Sequence, residues 1–567
     1  MKKWGCIIFT VVFIILLAGC GGQQKLESTS ALQEKTTVAT EVQKTTNEFG
    51  WVVPEETTKY TSYNGKISPD SFANWGKDVL PWIKEKFNVE INAVVYDVDK
   101  DQKISLMLAG GDYPEVLTNI SEEQALRFKE QGKAIELTPM IEKHGPNIKK
   151  ALEAAGVYSL MLTEDSKLYY LPRNFGLLKE PDFTADLRLD WYKEMGSPVC
   201  VTPEDYYNIL KKMVQDHPKN SKNEKVYAIS SYSMSSLSWG EGLITGLAGI
   251  WGLKAQYKED ADHSLTHWVN TNEGLEMTKW MNRFNLDGML DPDMFINKFQ
   301  EWRTKFSSER IAGHIGWSWV SWNAGHEVWQ KEEGWNPDKR YVQTMLKTPE
   351  AEKSYMSGKN ARAIENIVTI ITNKAKNAEA ILDWIDFCNT DTGRWIVGYG
   401  IPEVTPGDGA LWKFTGGKSE FTEGPKKALI EGTIDFDKDV WSRSGVNQIM
   451  LCNSIEGVRG NDTAFSYDHA FTDQMEWWHK MIENTKDSIY DNTIMNMIQI
   501  VPSSPLGAKL QQIRDALLAG WAQCLYSKTE ADCEKNFLEM REKLNTLGLK
   551  EIEKFKSDEY KKLLSKK

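Results

Sequence analysis

At 567 residues the chain exceeds what one hydrophobic core normally organises, since single cores stop growing near about 250 to 300 residues, so two lobes are expected. An apolar fraction of 41% with 26% charged residues excludes a wholly disordered chain and a multi-span membrane protein. A formal net charge of -12, with no Lys/Arg block or zinc-knuckle spacing to offset it, argues against a nucleic-acid partner, because binding phosphates needs concentrated positive charge.

The first element is a basic tip, Lys2 and Lys3, followed by an apolar run from Ile7 to Leu17 and the tetrapeptide Leu17-Ala18-Gly19-Cys20. This pattern resembles a lipoprotein signal peptide over residues 1–19, with the thiol of Cys20 as the lipidation site and the lipid as a membrane anchor. The apolar run is short of the roughly 20 residues that a spanning helix needs. Residues 20–60 are read as a flexible tether, because the stretch after Gly21 is rich in Gly, Gln, Thr, Ser, Glu and Lys and buries too little apolar area to offset its ordering entropy. Cleavage removes Cys6, which leaves Cys200, Cys388, Cys452, Cys524 and Cys533, an odd number. Cys524 and Cys533 are near enough in sequence to close a small loop or to remain inert buried thiols.

In the body, Trp75, Val79, Leu80, Ile83 and Phe87 recur at helical intervals and predict a helix over Asn74–Phe87. Val89 to Tyr96 alternates and then becomes β-branched, as a strand does; Lys100 to Leu108 reads as a second helix, and Tyr113 to Leu117 as the next strand. This alternation predicts an α/β lobe with a largely parallel sheet, whose ligands gather beyond the carboxyl ends of the strands. Asp97, Asp99 and Asp101 imitate the opening of a calcium loop, but Gln102 and Leu108 stand where Gly and Glu are required, so no metal is assigned. From Leu506 onward, apolar residues recur at helical spacing until Gly548, and the last lysine-rich turns are expected to fray.

Several segments resemble the extracellular solute-binding proteins of family 1, in particular their large Gram-positive lipoprotein branch. They are Gly110-Gly111-Asp112-Tyr113-Pro114-Glu115-Val116, Glu136-Leu137-Thr138-Pro139, Lys167-Leu168-Tyr169-Tyr170-Leu171-Pro172, the stretch Leu187 to Gly196, Phe306 to Trp319, and Ala378 to Gly400. The resemblance implies a two-lobed periplasmic-binding-protein-like α/β fold with an interlobe ligand cleft and a helical C-terminal region. Residues 61–172 and 362–399 would form the first lobe, and residues 173–361 and 400–567 the second. It further implies a monomeric receptor without a cofactor, which captures a carbohydrate and delivers it to the permease subunits of an ABC importer. Two departures stand out: Glu115 replaces the usual Asp, and Ile401-Pro402-Glu403 replaces the usual Ile-Glu-Gly.

Sugar capture calls for flat apolar faces against the pyranose and planar polar groups for its hydroxyls. In an extended segment Trp317 and Trp319 share one face and form a stacking shelf. The resemblance marks the same pair as ligand platforms, although packing of one indole in the core is the competing expectation. Trp239, Trp251, Trp412 and Trp441 lie in or beside turn-rich segments and are further stacking candidates. Asp112, Arg173, Asn174 and Asp190 are the candidate hydroxyl partners, and Arg173 could also clamp a carboxylate. The 8 histidines show no HExxH arrangement, so zinc catalysis is not expected. The alternatives to a receptor are a glycoside hydrolase, which needs two carboxylates roughly 5 to 10 Å apart across a glycosidic bond, and a surface glycan-binding adhesin.

Overall fold

A computed structural model describes residues 45–65, 78–94, 100–154, 156–163, 165–172, 183–232, 241–317, 324–325, 327–334, 336, 338–359, 367–424, 488–501 and 504–566. Eleven strands matter for the site. They are β1 (Thr58–Asn64), β2 (Val89–Val94), β3 (Val116–Ser121), β4 (Leu171–Pro172), β5 (Phe183–Arg188), β6 (Tyr227–Ile229), β7 (Ile311–Trp317), β8 (Tyr341–Thr344), β9 (Ile367–Ile371), β10 (Trp412–Thr415) and β11 (Lys418–Phe421). Two main sheets result, with strand orders β2-β1-β3-β9-β4 and β8-β5-β7-β6, and a separate β10–β11 hairpin.

In the first sheet β1 runs parallel to β2 and β3, and helices Val79–Phe87 and Lys100–Gly110 form the connections. Strand β9 returns from later in the chain and inserts antiparallel between β3 and β4. In the second sheet β5 pairs antiparallel with both β7 and β8, while β6 lies parallel to β7. Each sheet carries its own large core. One includes Phe87, Leu117, Ile120 and Trp384; the other includes Leu210, Leu247, Trp268 and Trp521. The two-lobed α/β expectation therefore holds.

The expected lobe boundaries move in three places. Phe49 and Trp51, placed in the tether, are buried in the first core, where the Trp51 indole N–H donates to the Phe87 carbonyl at 2.8 Å. The folded body thus begins earlier than residue 61, because two aromatics bury enough area to order a segment without periodicity. Past residue 400 the chain stays with the first lobe: Leu411 and Trp412 join its core, and Phe421 packs on Trp395 with ring centroids 4.7 Å apart. Met497, also given to the second lobe, lies in the first core.

The C-terminal helices Pro505–Leu525 and Glu530–Thr546 complete the second lobe by packing on the helix Asn272–Leu286. Leu549–Leu564 packs on both of them and on the strand Leu265–His267, where the Leu265 and His267 N–H groups donate to Ser557 and Glu553. Trp521 meets Trp268 edge-on at 6.2 Å, and the Asn282 amide donates to the Leu525 and Ser527 carbonyls at 2.9 Å. Gly548 does not end the order. Its left-handed backbone, φ 107, turns the chain into the last helix, whose Ile552 and Tyr560 are buried. Cys388 is buried; Cys200, Cys524 and Cys533 are free, buried thiols, and burial pushes the Cys524 and Cys533 groups up to about 12.

Candidate functional site

Strand direction locates the site. Chain passes between the lobes at the carboxyl end of β3: β4 ends at Pro172, and β9 begins at Ile367 opposite Ser121. In the second lobe the arriving strand β5 begins at Phe183, opposite Trp317 at the end of β7, and β6 ends on the same side at Ile229. Ligands of α/β sheets collect at such carboxyl edges.

The first-lobe rim is polar. Asn64 ends β1, and Ser121 and Glu122 follow β3, where Ser121 caps the helix Glu122–Glu130 in a capping box with Gln124. The Tyr170 hydroxyl donates to the Glu122 carboxylate and anchors the last residues before the passage. Asn119 lies one residue upstream of Ile120 in a left-handed backbone conformation, φ 56. Between Ile120 and Leu117 strand β3 spends three steps against two on β9, from Val368 to Ile370, so β3 carries a bulge there. Left-handed backbone at a residue other than glycine costs on the order of 1 kcal/mol and clusters at functional sites.

The second-lobe rim is aromatic. Phe183 and Trp317 pack with centroids 4.3 Å apart, and Trp317 is half-buried. A Cβ at Gly242 would stand 3.0 Å from the indole Cδ1, so glycine lets the helix Glu241–Ile250 approach this ring closely. Behind the rim Tyr232, Trp302 and Phe306 pack in sequence as tilted rings, with Tyr232–Trp302 at 4.7 Å and Trp302–Phe306 at 4.3 Å. His314 is buried against Trp302 and Phe306, and burial lowers its pKa to about 3.

A charged knot supports this rim from below. The buried Lys305 ammonium donates to both Asp291 oxygens at 2.9 and 2.8 Å and to Asp293 at 3.0 Å. Asp291 also accepts from the Ser230 hydroxyl at 2.5 Å and the Asn297 amide at 3.0 Å. Burial raises the Asp291 carboxyl, but Lys305, Ser230 and Asn297 outweigh it and hold the group below the usual range. The knot thereby fixes Ser230 and Ser231 where they leave β6.

Of the described candidates, only Trp317 stands at this side. Asp112 is exposed in the turn that enters β3 at its amino end, the wrong edge for a parallel sheet. Asp190 follows β5 at the end opposite Phe183, and the Arg188 guanidinium grips it through Nε–Oδ1 at 2.9 Å and Nη2–Oδ2 at 2.6 Å. Trp251 follows the far end of the helix that starts beside Trp317, half-buried and edge-on to Trp280 at 5.6 Å. Trp412 corrects the expectation of an exposed stacking ring: it is 0% exposed and donates its indole N–H to the Gly400 carbonyl at 3.2 Å. Glu115 is a clamp, accepting from the Thr61 backbone at 2.8 Å and the Lys376 backbone at 3.1 Å. Cys20, Arg173, Asn174, Trp239, Trp319 and Trp441 lie outside the described residues. Sequence reasoning missed Asn64, Glu122 and Phe183, none of which lies in a segment that it read as strand, passage or motif.

No family model matches the chain. A curated relative, the fructooligosaccharide ABC transporter substrate-binding protein FusA of Streptococcus pneumoniae serotype 4, is 21% identical over 382 residues. That alignment covers 66% of this chain and 66% of the relative, so it spans just under two thirds of that protein's length. The solved structure of S. pneumoniae FusA in complex with kestose superposes with a TM-score of 0.62 at 17% identity, covering 90% of this chain and 100% of that one. A solute-binding protein from Bifidobacterium longum infantis, described as binding HMO, gives 0.62 at 15% identity, covering 91% and 100%. The alginate-binding protein AlgQ2 without calcium ion gives 0.60 at 15%, covering 90% and 99%. The chain therefore has the two-lobed fold of the substrate-binding proteins of ABC importers, the group that its sequence motifs resemble.

Proposed function

We propose that this chain is the solute receptor of an ABC importer, tethered to the outer face of the cell membrane through a lipid on Cys20. It captures an oligosaccharide between its lobes and hands it unaltered to the permease. The observation that carries this reading is the pairing of a polar rim with an aromatic one, Asn64, Ser121 and Glu122 in the first lobe and Phe183 and Trp317 in the second, at the side where the chain passes between lobes. Flat rings cover the C–H faces of a sugar while amide and carboxylate groups take its hydroxyls, and contacts to both lobes favour a closed form. Names of the similar proteins, which include a fructooligosaccharide receptor and an HMO-binding protein, support the ligand class. Among the described residues no helix is long and apolar enough to cross a membrane. We place Arg173, Asn174, Trp239, Trp319 and Trp441 with the ligand contacts on the grounds given by the sequence.

The test is a thermal-shift and calorimetry panel of kestose, human-milk oligosaccharides and alginate oligosaccharides, with chromatography of each sugar afterwards. At 100 times Kd a ligand that binds only the native state adds about 2.7 kcal/mol of stability. A stabilising sugar recovered intact supports the receptor; shortened products establish a glycoside hydrolase, and no shift with any member removes the carbohydrate assignment.

A further inference from the structure

The carboxyl end of the first sheet contains a feature that packing alone does not require. In the parallel β1–β3 pair, Asn64 lies opposite Thr118, and the Gly65 N–H donates to the Thr118 carbonyl at 3.0 Å. Side chains alternate along a regular strand, so Asn119 would face away from the side that Thr118 and Asn64 share. The bulge and the left-handed backbone of Asn119 undo that alternation. As a result the Asn119 amide Nδ2 donates to the Asn64 Oδ1 at 2.6 Å, with the two residues only 1% and 6% exposed. A glycine would meet the backbone requirement more easily, so an asparagine at this position is explained by what its side chain holds.

We propose that Asn119 is a positioning residue whose amide fixes the Asn64 carboxamide at the cleft as a hydroxyl partner for the captured sugar. The proposal rests on the receptor reading for the sugar, and on the structure alone for the fixed amide. Oriented in advance, Asn64 meets a hydroxyl without losing rotamer freedom on binding. Asn119→Gly is the informative variant, because glycine keeps the positive φ and removes only the amide.

Two measurements separate the proposal from its premise. In ligand-free protein labelled with 15N-asparagine, the Asn64 side-chain amide is expected to be dispersed and slow to exchange, and in N119G to collapse toward random-coil shifts; an unchanged Asn64 signal in N119G overturns the positioning role whatever the ligand proves to be. With kestose, or the sugar of the panel that wild type retains, N119G and N64A are each expected to bind about tenfold more weakly, and the double variant no more weakly than either single one, since both remove one device. Wild-type affinity in N64A, or additive losses in the double variant, overturns it. If wild type holds none of the sugars, the carbohydrate reading falls and the amide signal alone decides the positioning role.

Discussion

Trp317 and Trp412 show how one residue type serves opposite ends. Trp317 is half-buried against Phe183 at the rim, so truncating it removes a stacking face while most of the layer beneath stays filled. An aromatic contact contributes about 0.5–1.5 kcal/mol beyond its buried area, so Trp317→Ala is expected to weaken oligosaccharide binding roughly tenfold or more by calorimetry. Trp412 has no exposed surface and packs on Trp395 at 5.4 Å. Trp412→Ala is expected to cost about 3–5 kcal/mol in urea unfolding and to leave the affinity of the folded protein unchanged. Sequence separated these two only halfway. Alternation along β7 exposed the pairing of Trp317 with a strand face, whereas the turn-forming Gly407, Asp408 and Gly409 before Trp412 suggested exposure. Whether a turn folds back over a core depends on partners distant in sequence, here Trp395 and Phe421. For Asp112 and Asp190 the charge was legible and the edge was not, because the useful edge is set by sheet direction.

Elements were read best where their own periodicity decides them. The strand beginning at Val89 and the helices around Phe87, Lys100 and Ile513 carry their apolar spacing within single segments. The insertion of β9 between β3 and β4 arises from pairing across 196 residues or more and leaves no local mark. Neither does the knot under β6, whose members come from the loop after β6, the Asp291–Asn297 loop and the helix Phe299–Ser307. Its energetics are nevertheless sharp. Lys305 and Asp291 have side chains 10% and 0% exposed, so losing one partner leaves an uncompensated charge in a dry site. Lys305→Met is expected to destabilise the protein by about 3–5 kcal/mol, and K305M combined with D291N to recover most of that loss, as measured by urea unfolding. A K305M cost below about 1 kcal/mol would mean that water reaches Asp291 and that the knot does not hold the rim.

For the whole molecule, the response to acid follows from two histidines buried in the second lobe. His267 sits under the C-terminal helices and accepts from the Val269 N–H at 3.4 Å, while His314 is enclosed by Trp302 and Phe306. Burial lowers both pKa values to about 3, with the Lys556 ammonium adding to the effect at His267. Both rings are therefore neutral in the fold at pH values where an unfolded chain, with ordinary values near 6.5, takes up protons. Between about pH 6.5 and 3 the unfolded state binds the extra protons, so stability is complete above 6.5 and is lost as the pH falls. Each histidine contributes on the order of 1 kcal/mol per pH unit across that window. The carboxylates of Asp291 and Glu309 are held below their usual range, despite burial, by Lys305 in the first case and by Arg188 and Lys339 in the second; they weaken the fold in the same direction, but only below the ordinary carboxylate range. The unfolding free energy in urea is thus expected to fall steadily from pH 6.5 to pH 5, before those carboxylates titrate. In His314→Leu the slope over that interval is expected to drop by one proton's share, whatever the substitution does to the absolute stability. A slope identical to wild type would show that His314 reaches solvent, and the aromatic layer behind Trp317 would then be open rather than sealed.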